Sequence, residues 1–433
     1  MLLAACFCQQ AWAGIPIAHW QHASGAQVYL VESPSIPMLD VQIDVDGGSR
    51  RDPAAQAGLA AASAAMFSKG VMAQGTRPAL DENALSEAWA DLGASFGAGA
   101  GADRFSLSLR TLTYPDLLEK TLALAAQQLG HPAWPTDIWA TERKRWQAAI
   151  QEANTRPATR AGKAYSAAVY GQHPYGFEVT AAHLERIEVA DMRAFYNRVM
   201  LPCRARISLV GAITRVQADA LVGRLMQGLP TGACPALPEV PEVAPLQQAQ
   251  ELTLPFDSAQ AHVLVGQPGI KRNDPDFFAM LVGNYILGGG GFVSRLTTEV
   301  REKRGLSYSV SSNFSPGLHA GAFTVSLQTR PDQAAQAVAV TRDVLTRFVN
   351  EGPTTEELQA AKDNLIGGFA LRIDANRKLL DNVANIAAHK LPLNYLDTWT
   401  DQVAKVSAAQ IKAAFKRHLQ PQRMVTVVVG AQP

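Results

Sequence analysis

An arginine and a tyrosine seven residues apart, Arg301 and Tyr308 (308 − 301), close a segment that opens with four consecutive glycines, Gly288 to Gly291. A guanidinium is a permanent cation with planar donors and a phenol donates one hydrogen bond, so the two together can stabilise a developing oxyanion. The glycines tolerate positive φ and close backbone approach, which predicts a tight, bare loop before Phe292. Val293, Leu296 and Val300 fall at helical spacing and put Ser294, Thr297 and Arg301 on a neighbouring, more polar face. Gly305 is a helix stop. Beyond it, Leu306, Tyr308 and Val310 alternate with serines, which predicts that the tyrosine lies on a strand. The same residues also suit a charged helix end and a tyrosine in a core.

At 433 residues the chain is long enough for two or more domains. With 47% hydrophobic and 18% charged residues it has the composition of a globular protein with a large core. Its net charge of +1 offers no electrostatic preference for nucleic acid or an anionic membrane. After the N-terminus there is no apolar run long enough to span a bilayer, about 18 residues. The stretch Met1 to Cys8 is apolar and Ala11-Trp12-Ala13 has the form of a cleavage site, so residues 1–13 read as a secretory signal whose basic start is missing. Cleavage after Ala13 is preferred over lipid attachment at Cys6, and the expected location is the periplasm. Cys203 and Cys234 are the cysteines outside that leader; a disulfide between them is permitted there, as are two buried free thiols. No CxxC or Cys/His metal spacing occurs.

Strand alternation at Gln27–Glu32, Leu39–Val45 and Arg104–Arg110 is mixed with helical patterns at 58–69, 81–92, 117–129 and 135–154, which is an α+β arrangement. Ile187–Arg198 with Pro202 and Ile207–Ala212 is matched by Val406–Arg417 with Pro421 and Val425–Ala431. Met192 and Ile411, and Gly211 and Gly430, are each 219 apart (411 − 192, 430 − 211). Self-similarity in one register implies one fold used twice. The proline-rich stretch from Ala233 divides the chain into a first domain over 17–232, a linker over 233–250 and a second domain over 251–433.

Gly48-Ser-Arg-Arg-Asp-Pro53, Gly58-Leu-Ala60, Met66-Phe-Ser-Lys-Gly70, His173-Pro-Tyr-Gly176 and Leu287-Gly-Gly-Gly…Ser294-Arg-Leu296 resemble the M16 metallopeptidase family, in its short, two-domain M16B form. That resemblance implies two tandem domains, each an antiparallel sheet packed with helices, forming half of a clamshell. Active members carry His-x-x-Glu-His on the helix after Gly-Leu-Ala, where two imidazoles four apart share a zinc ion and the glutamate activates its water. In register, this chain has Ala61, Ala64 and Ala65. The family's third ligand, a later glutamate, falls on Ala149, while the upstream Glu142 is kept. None of the nine histidines stands in an HxxxH or HxxEH arrangement, and His173 is assigned to a turn.

The resemblance also carries the substrate-binding Arg/Tyr pair onto Arg301 and Tyr308; Arg304, four from Tyr308, is the competing cation. It implies a non-catalytic subunit that binds peptides and offers the pair to zinc held by a His-x-x-Glu-His partner in a heterodimer, with no cofactor in this chain. Gly289, Gly290, Gly291 and Phe292, with Ser95 and Phe96 of a glycine-rich edge, would line the substrate path by strand addition. The alternative is a peptidase-fold scaffold or peptide-binding protein without a proteolytic role.

Overall fold

Burial on every second residue of Phe105–Leu112 places Phe105, Leu107, Leu109 and Thr111 in a core and leaves the intervening side chains on the other face. The computed structural model describes residues 14–430, so the expected secretory signal over 1–13 and the repeat's last residue, Ala431, lie outside the described residues. Strands β1 (Ala18–Gln21), β2 (Gln27–Glu32), β3 (Met38–Val45), β4 (Ser95–Ala100), β5 (Phe105–Leu112) and β6 (Arg206–Gly211) form one sheet in the order β1-β2-β6-β3-β5-β4. Strands β7 (Gln250–Leu254), β8 (Ala261–Pro268), β9 (Val310–Phe314), β10 (Ala322–Thr329) and β11 (Val425–Val429) form a second, in the order β7-β11-β8-β10-β9. In the first sheet the last strand, β6, pairs parallel with β2 and antiparallel with β3; in the second the last strand, β11, pairs parallel with β7 and antiparallel with β8. The sequence repeat is therefore a repeat of topology, and β4 and β9 are equivalent free edges.

The repeated glycines have a steric reason. Gly211 and Gly430 both adopt positive φ, 157° and 92°, and a Cβ would lie 2.3 Å from the Met38 carbonyl oxygen at the first and 2.6 Å from Ser258 Oγ at the second. The linker ends where β7 begins at Gln250, so its last predicted residue is the first of the strand.

Helices α1 (Leu59–Met66), α2 (Thr136–Ala153), α3 (Pro157–Tyr170) and α4 (Val189–Val199) belong to the first half of the sequence. Helices α5 (Phe277–Asn284), α6 (Asn376–His389) and α7 (Ala408–His418) belong to the second. Two of them are exchanged. Helix α3 packs on β8 and β11 of the second sheet, where Tyr165 Oη donates to the Phe323 carbonyl at 2.9 Å and Ala322 N donates to Tyr170 Oη at 2.8 Å. Helix α6 packs on β6 and β3 of the first sheet, with Leu379, Leu380, Val383 and Ile386 in one core with Val31 and Val210. The two helices start 219 residues apart (376 − 157), the offset of the repeat. The division in sequence is thus not the division in packing: each half buries a helix of the other, and separating them would expose both apolar faces to water.

A disulfide joins Cys203 to Cys234, with Cα atoms 6.2 Å apart, so the free-thiol alternative is not what the structure has. It ties the start of the linker to the turn before β6.

Candidate functional site

The site around Arg301 is built by two π-helical turns. The first, Tyr285–Gly289, continues α5 directly, so Gly288 and Gly289 lie in a helical turn rather than in the bare loop expected from the sequence. The register comes from crowding: a Cβ on Gly288 would meet Ser312 Oγ at 2.5 Å, and one on Gly290 would meet the Tyr285 carbonyl oxygen at 2.7 Å. Gly291, at φ 65°, turns the chain into a short 3₁₀ turn that leaves Phe292 and Val293 in solvent, 68% and 76% exposed. Ser294 then anchors the next segment, its buried hydroxyl donating to the Gly291 carbonyl at 2.8 Å and lying within hydrogen-bond distance of Thr297 Oγ1 at 3.0 Å. The second π turn spans Thr297–Glu302 and carries Arg301. Wide turns of this kind recur at functional sites.

Tyr308 lies outside the strand that the alternation predicts. Strand β9 starts at Val310, and Ser307 Oγ donates to the Ser309 carbonyl at 2.6 Å while accepting from Ser309 N at 3.2 Å. That local competition for the backbone bends the chain and lifts Tyr308 to the apex of a turn, 83% exposed. Sequence distance and tertiary distance agree about the pair. Arg301 Cζ lies 5.0 Å from the Tyr308 ring centroid and 4.8 Å from that of Phe292, so the guanidinium sits between two exposed rings. Its side chain makes no ion pair or hydrogen bond among the described residues. Arg304, the competing cation, is committed: its Nη1 bonds the Glu299 carboxylate at 2.7 Å. Lys303 first and Arg304 next hold the Glu299 carboxyl below its usual range. The stacking of Phe292 on Arg301 was not evident from the sequence; an exposed aromatic nine residues before an arginine gives no periodic signal.

The equivalent place in the first half is α1 beside β4. Gly58 enters the helix at φ 105°, and the Asp52 carboxylate accepts from Gly58 N at 2.9 Å and Ala60 N at 3.0 Å, capping the helix N-terminus. Ala61 and Ala65 stand partly exposed on one face, four residues apart, whereas Ala64 is buried. Ala149 is exposed on α2. A methyl group has no lone pair for a metal, so the residues at the family's zinc positions do not fit a zinc ion. The retained Glu142 is occupied instead by an ammonium: Lys69 Nζ, one turn beyond Ala65, lies 3.2 Å from Glu142 and 2.6 Å from Glu82. Glu82 first, then Glu142, holds the lysine pKa above its ordinary value.

Phe96 is turned inward, 7% exposed and against Phe67 and Trp89. Its side chain is therefore core, and what β4 offers a ligand is its backbone, the exposed Ser95 and the open space above Gly97 and Gly99. His173 is structural, as expected: Nδ1 accepts from Tyr175 N at 3.1 Å and the ring packs on His319. Among the described residues, a group with metal-ligand chemistry occurs at Asp274, Asp276 and His418, at the opposite end of α5 from the first π turn, and Arg417 already pairs with Asp276 there.

Residues 27–182 match the insulinase family, peptidase family M16, and residues 186–365 match the domain described as the peptidase M16 inactive domain. The crystal structure of a peptidase M16 inactive domain from Pseudomonas fluorescens is similar at 34% identity and a TM-score of 0.90, covering 96% of this chain and 98% of that one. The chain belongs to the M16 peptidase family, among its members that lack the zinc motif. A protein of Helicobacter pylori described as a non-peptidase homologue is 29% identical over 254 residues, which is 58% of this chain and 57% of that protein, little more than half its length. An uncharacterized zinc protease of Mycobacterium leprae is 26% identical over 401 residues, 90% of this chain and 86% of that protein.

Proposed function

We propose that this chain is the non-catalytic, substrate-binding subunit of a heterodimeric, M16B-type zinc metallopeptidase. The observation that carries the reading is Arg301: a guanidinium with no acidic partner, held between Phe292 and Tyr308 at the surface. A cation kept free of a carboxylate is available to a substrate carbonyl, and stacking reduces the entropy lost when it binds. Tyr308 Oη supplies a second donor beside it. In this reading Arg301 and Tyr308 orient the peptide carbonyl and stabilise its developing negative charge, while a His-x-x-Glu-His partner holds the zinc. Peptides add as a strand to the free edges β4 and β9, which recognise backbone rather than side chains. The Cys203–Cys234 disulfide supports an oxidising, periplasmic location.

The test mixes the purified chain with an M16 protein containing His-x-x-Glu-His and measures peptide cleavage. The mixture should cleave while this chain alone does not. Arg301→Ala should lower kcat about 100-fold, the scale of losing one oxyanion donor. Tyr308→Phe should lower it about tenfold, the scale of one hydrogen bond. Cleavage unaffected by either substitution would remove the pair from the mechanism. A Helicobacter pylori relative is described as a non-peptidase homologue, which is compatible with a second reading, a peptidase-fold scaffold or peptide-binding protein, and this predicts no cleavage in any such mixture.

A further inference from the structure

A cavity of about 380 Å³ lies where the two halves meet, walled by Asp46, Asp103, Arg104 and Arg206 from the first and by His389 and Lys390 from the second. A second cavity of about 490 Å³ adjoins it through Arg104 and His389. The exchange of α6 creates this place, because His389 ends that helix and Lys390, at φ 53°, turns the chain away from it.

The two carboxylates on the wall are already used. Asp46 accepts from Arg51 Nε at 2.9 Å and Nη2 at 2.7 Å, and pairs with Arg50 as well. Asp103 accepts from Arg50 Nε at 3.0 Å, Tyr175 Oη at 2.6 Å and Leu318 N at 2.9 Å. Arg104 is bonded to the buried Asp44 at 3.2 Å. Arg206 and Lys390 remain, and neither side chain makes an ion pair or hydrogen bond among the described residues. Two cations without a direct acidic partner on a concave wall bring positive potential into it, although Arg206 shares its field with Asp46, and a guanidinium fork matches an oxyanion.

The His389 imidazole lies on the same wall. Burial first, then Arg272 and Arg104, push His389 down to about 4, with Asp103 opposing them and Arg206 adding a smaller push in the same direction. Lys390, the next residue, adds a further positive charge. An anion in the cavity would oppose these charges and favour the imidazolium, which would then donate to it.

We propose that this cavity between the halves is a binding site for a compact oxyanion, a carboxylate or a phosphate, held by Arg206 and Lys390 with Arg104 and His389 on its wall. The ligand would bridge the two halves. The proposal does not depend on the peptidase-subunit reading, since it concerns this chain alone and residues that take no part in that reading. Because the bound anion raises the His389 pKa, affinity increases as pH falls through the bound-state value.

Calorimetry and histidine NMR on the full chain test it with three probes: inorganic phosphate, a peptide with a free C-terminal carboxylate, and the same peptide amidated. Saturable binding of phosphate, or of the free-carboxylate peptide at least tenfold more tightly than its amide, is expected and distinguishes the two sources. That binding should weaken at least tenfold in Arg206→Gln and in Lys390→Gln, the latter at an exposed position where folding is not at risk. Lys416→Gln, on a remote helix, should leave it unchanged. The His389 resonance should titrate at least one pH unit higher with ligand than without. No binding of any probe, binding unchanged by both cavity substitutions, or an unmoved His389 titration would each overturn the proposal.

Discussion

The two halves share a sheet order, a helix with a capping box before the last strand and a closing glycine at positive φ, yet they differ in what stands beside the free edge. Beside β4 stands α1, a regular helix whose outward positions are methyl groups. Beside β9 stand two π turns, the second carrying the Arg301 guanidinium, with the Phe292 ring from the 3₁₀ turn between them and the Tyr308 phenol from the bend before β9 exposed beside it. The lesson is that the repeated backbone is set by packing and pairing, while chemistry resides in the short segment preceding each edge and can be lost from one copy without disturbing the other. In the first half Lys69 and Arg145 pair with the carboxylate of the retained Glu142.

That contrast can be broken most directly by returning ligands to the first half. Ala61→His, Ala64→Glu and Ala65→His together with Ala149→Glu should change zinc content from none to about one equivalent per chain, read by metal analysis after gel filtration. A folded variant without zinc would mean that these four positions do not converge as the register implies. The disulfide is the next largest effect. It pins the proline turn before β6, and the equivalent turn at Pro421 has no such tie, so reduction should destabilise the chain by about 3 kcal/mol. The urea midpoint with and without reductant measures this, and an unchanged midpoint would show that the linker contributes nothing.

Smaller substitutions sharpen the comparison. In the repeat, Gly283 corresponds to Ala64 (283 − 219) and Phe415 to Tyr196 (415 − 219), and a Cβ on Gly283 would lie 2.3 Å from the Phe415 ring. Gly283→Ala should therefore cost about 2 kcal/mol by overpacking, seen as a lower Tm, although alanine is native at the matching place. Gly97→Ala on β4, where a Cβ meets nothing within 4 Å, should change stability by less than about 0.5 kcal/mol. A large loss there would mean that the edge is not open.

The strands with alternating burial, the α1 and α4 helices and the repeat were legible because each is written in local periodicity or in register. The Arg301/Tyr308 pair was singled out through its family context, and the structure sets the guanidinium 5.0 Å from the phenol ring centroid. Tyr308's placement was not: alternation along 306–310 predicts a strand, but the Ser307 hydroxyl competes for the Ser309 backbone and wins locally. Phe96 reads as part of a glycine-rich edge, yet a strand shows its other face to the core, and Phe67 and Trp89 are waiting there.

Sequence by itself determined that the fold is used twice, that the zinc positions hold alanine and that one arginine and one tyrosine stand at family spacing. These are properties of residue identity and order. Tertiary structure alone decided that α3 and α6 are exchanged between the sheets, that Arg301 is left free while Arg304 is consumed by Glu299, and that Arg206, His389 and Lys390 meet around one cavity. The first and the last depend on which side chains and apolar faces from distant parts of the chain come together, and the second on how the wide turn over 297–302 aims neighbouring side chains, which residue order alone does not encode.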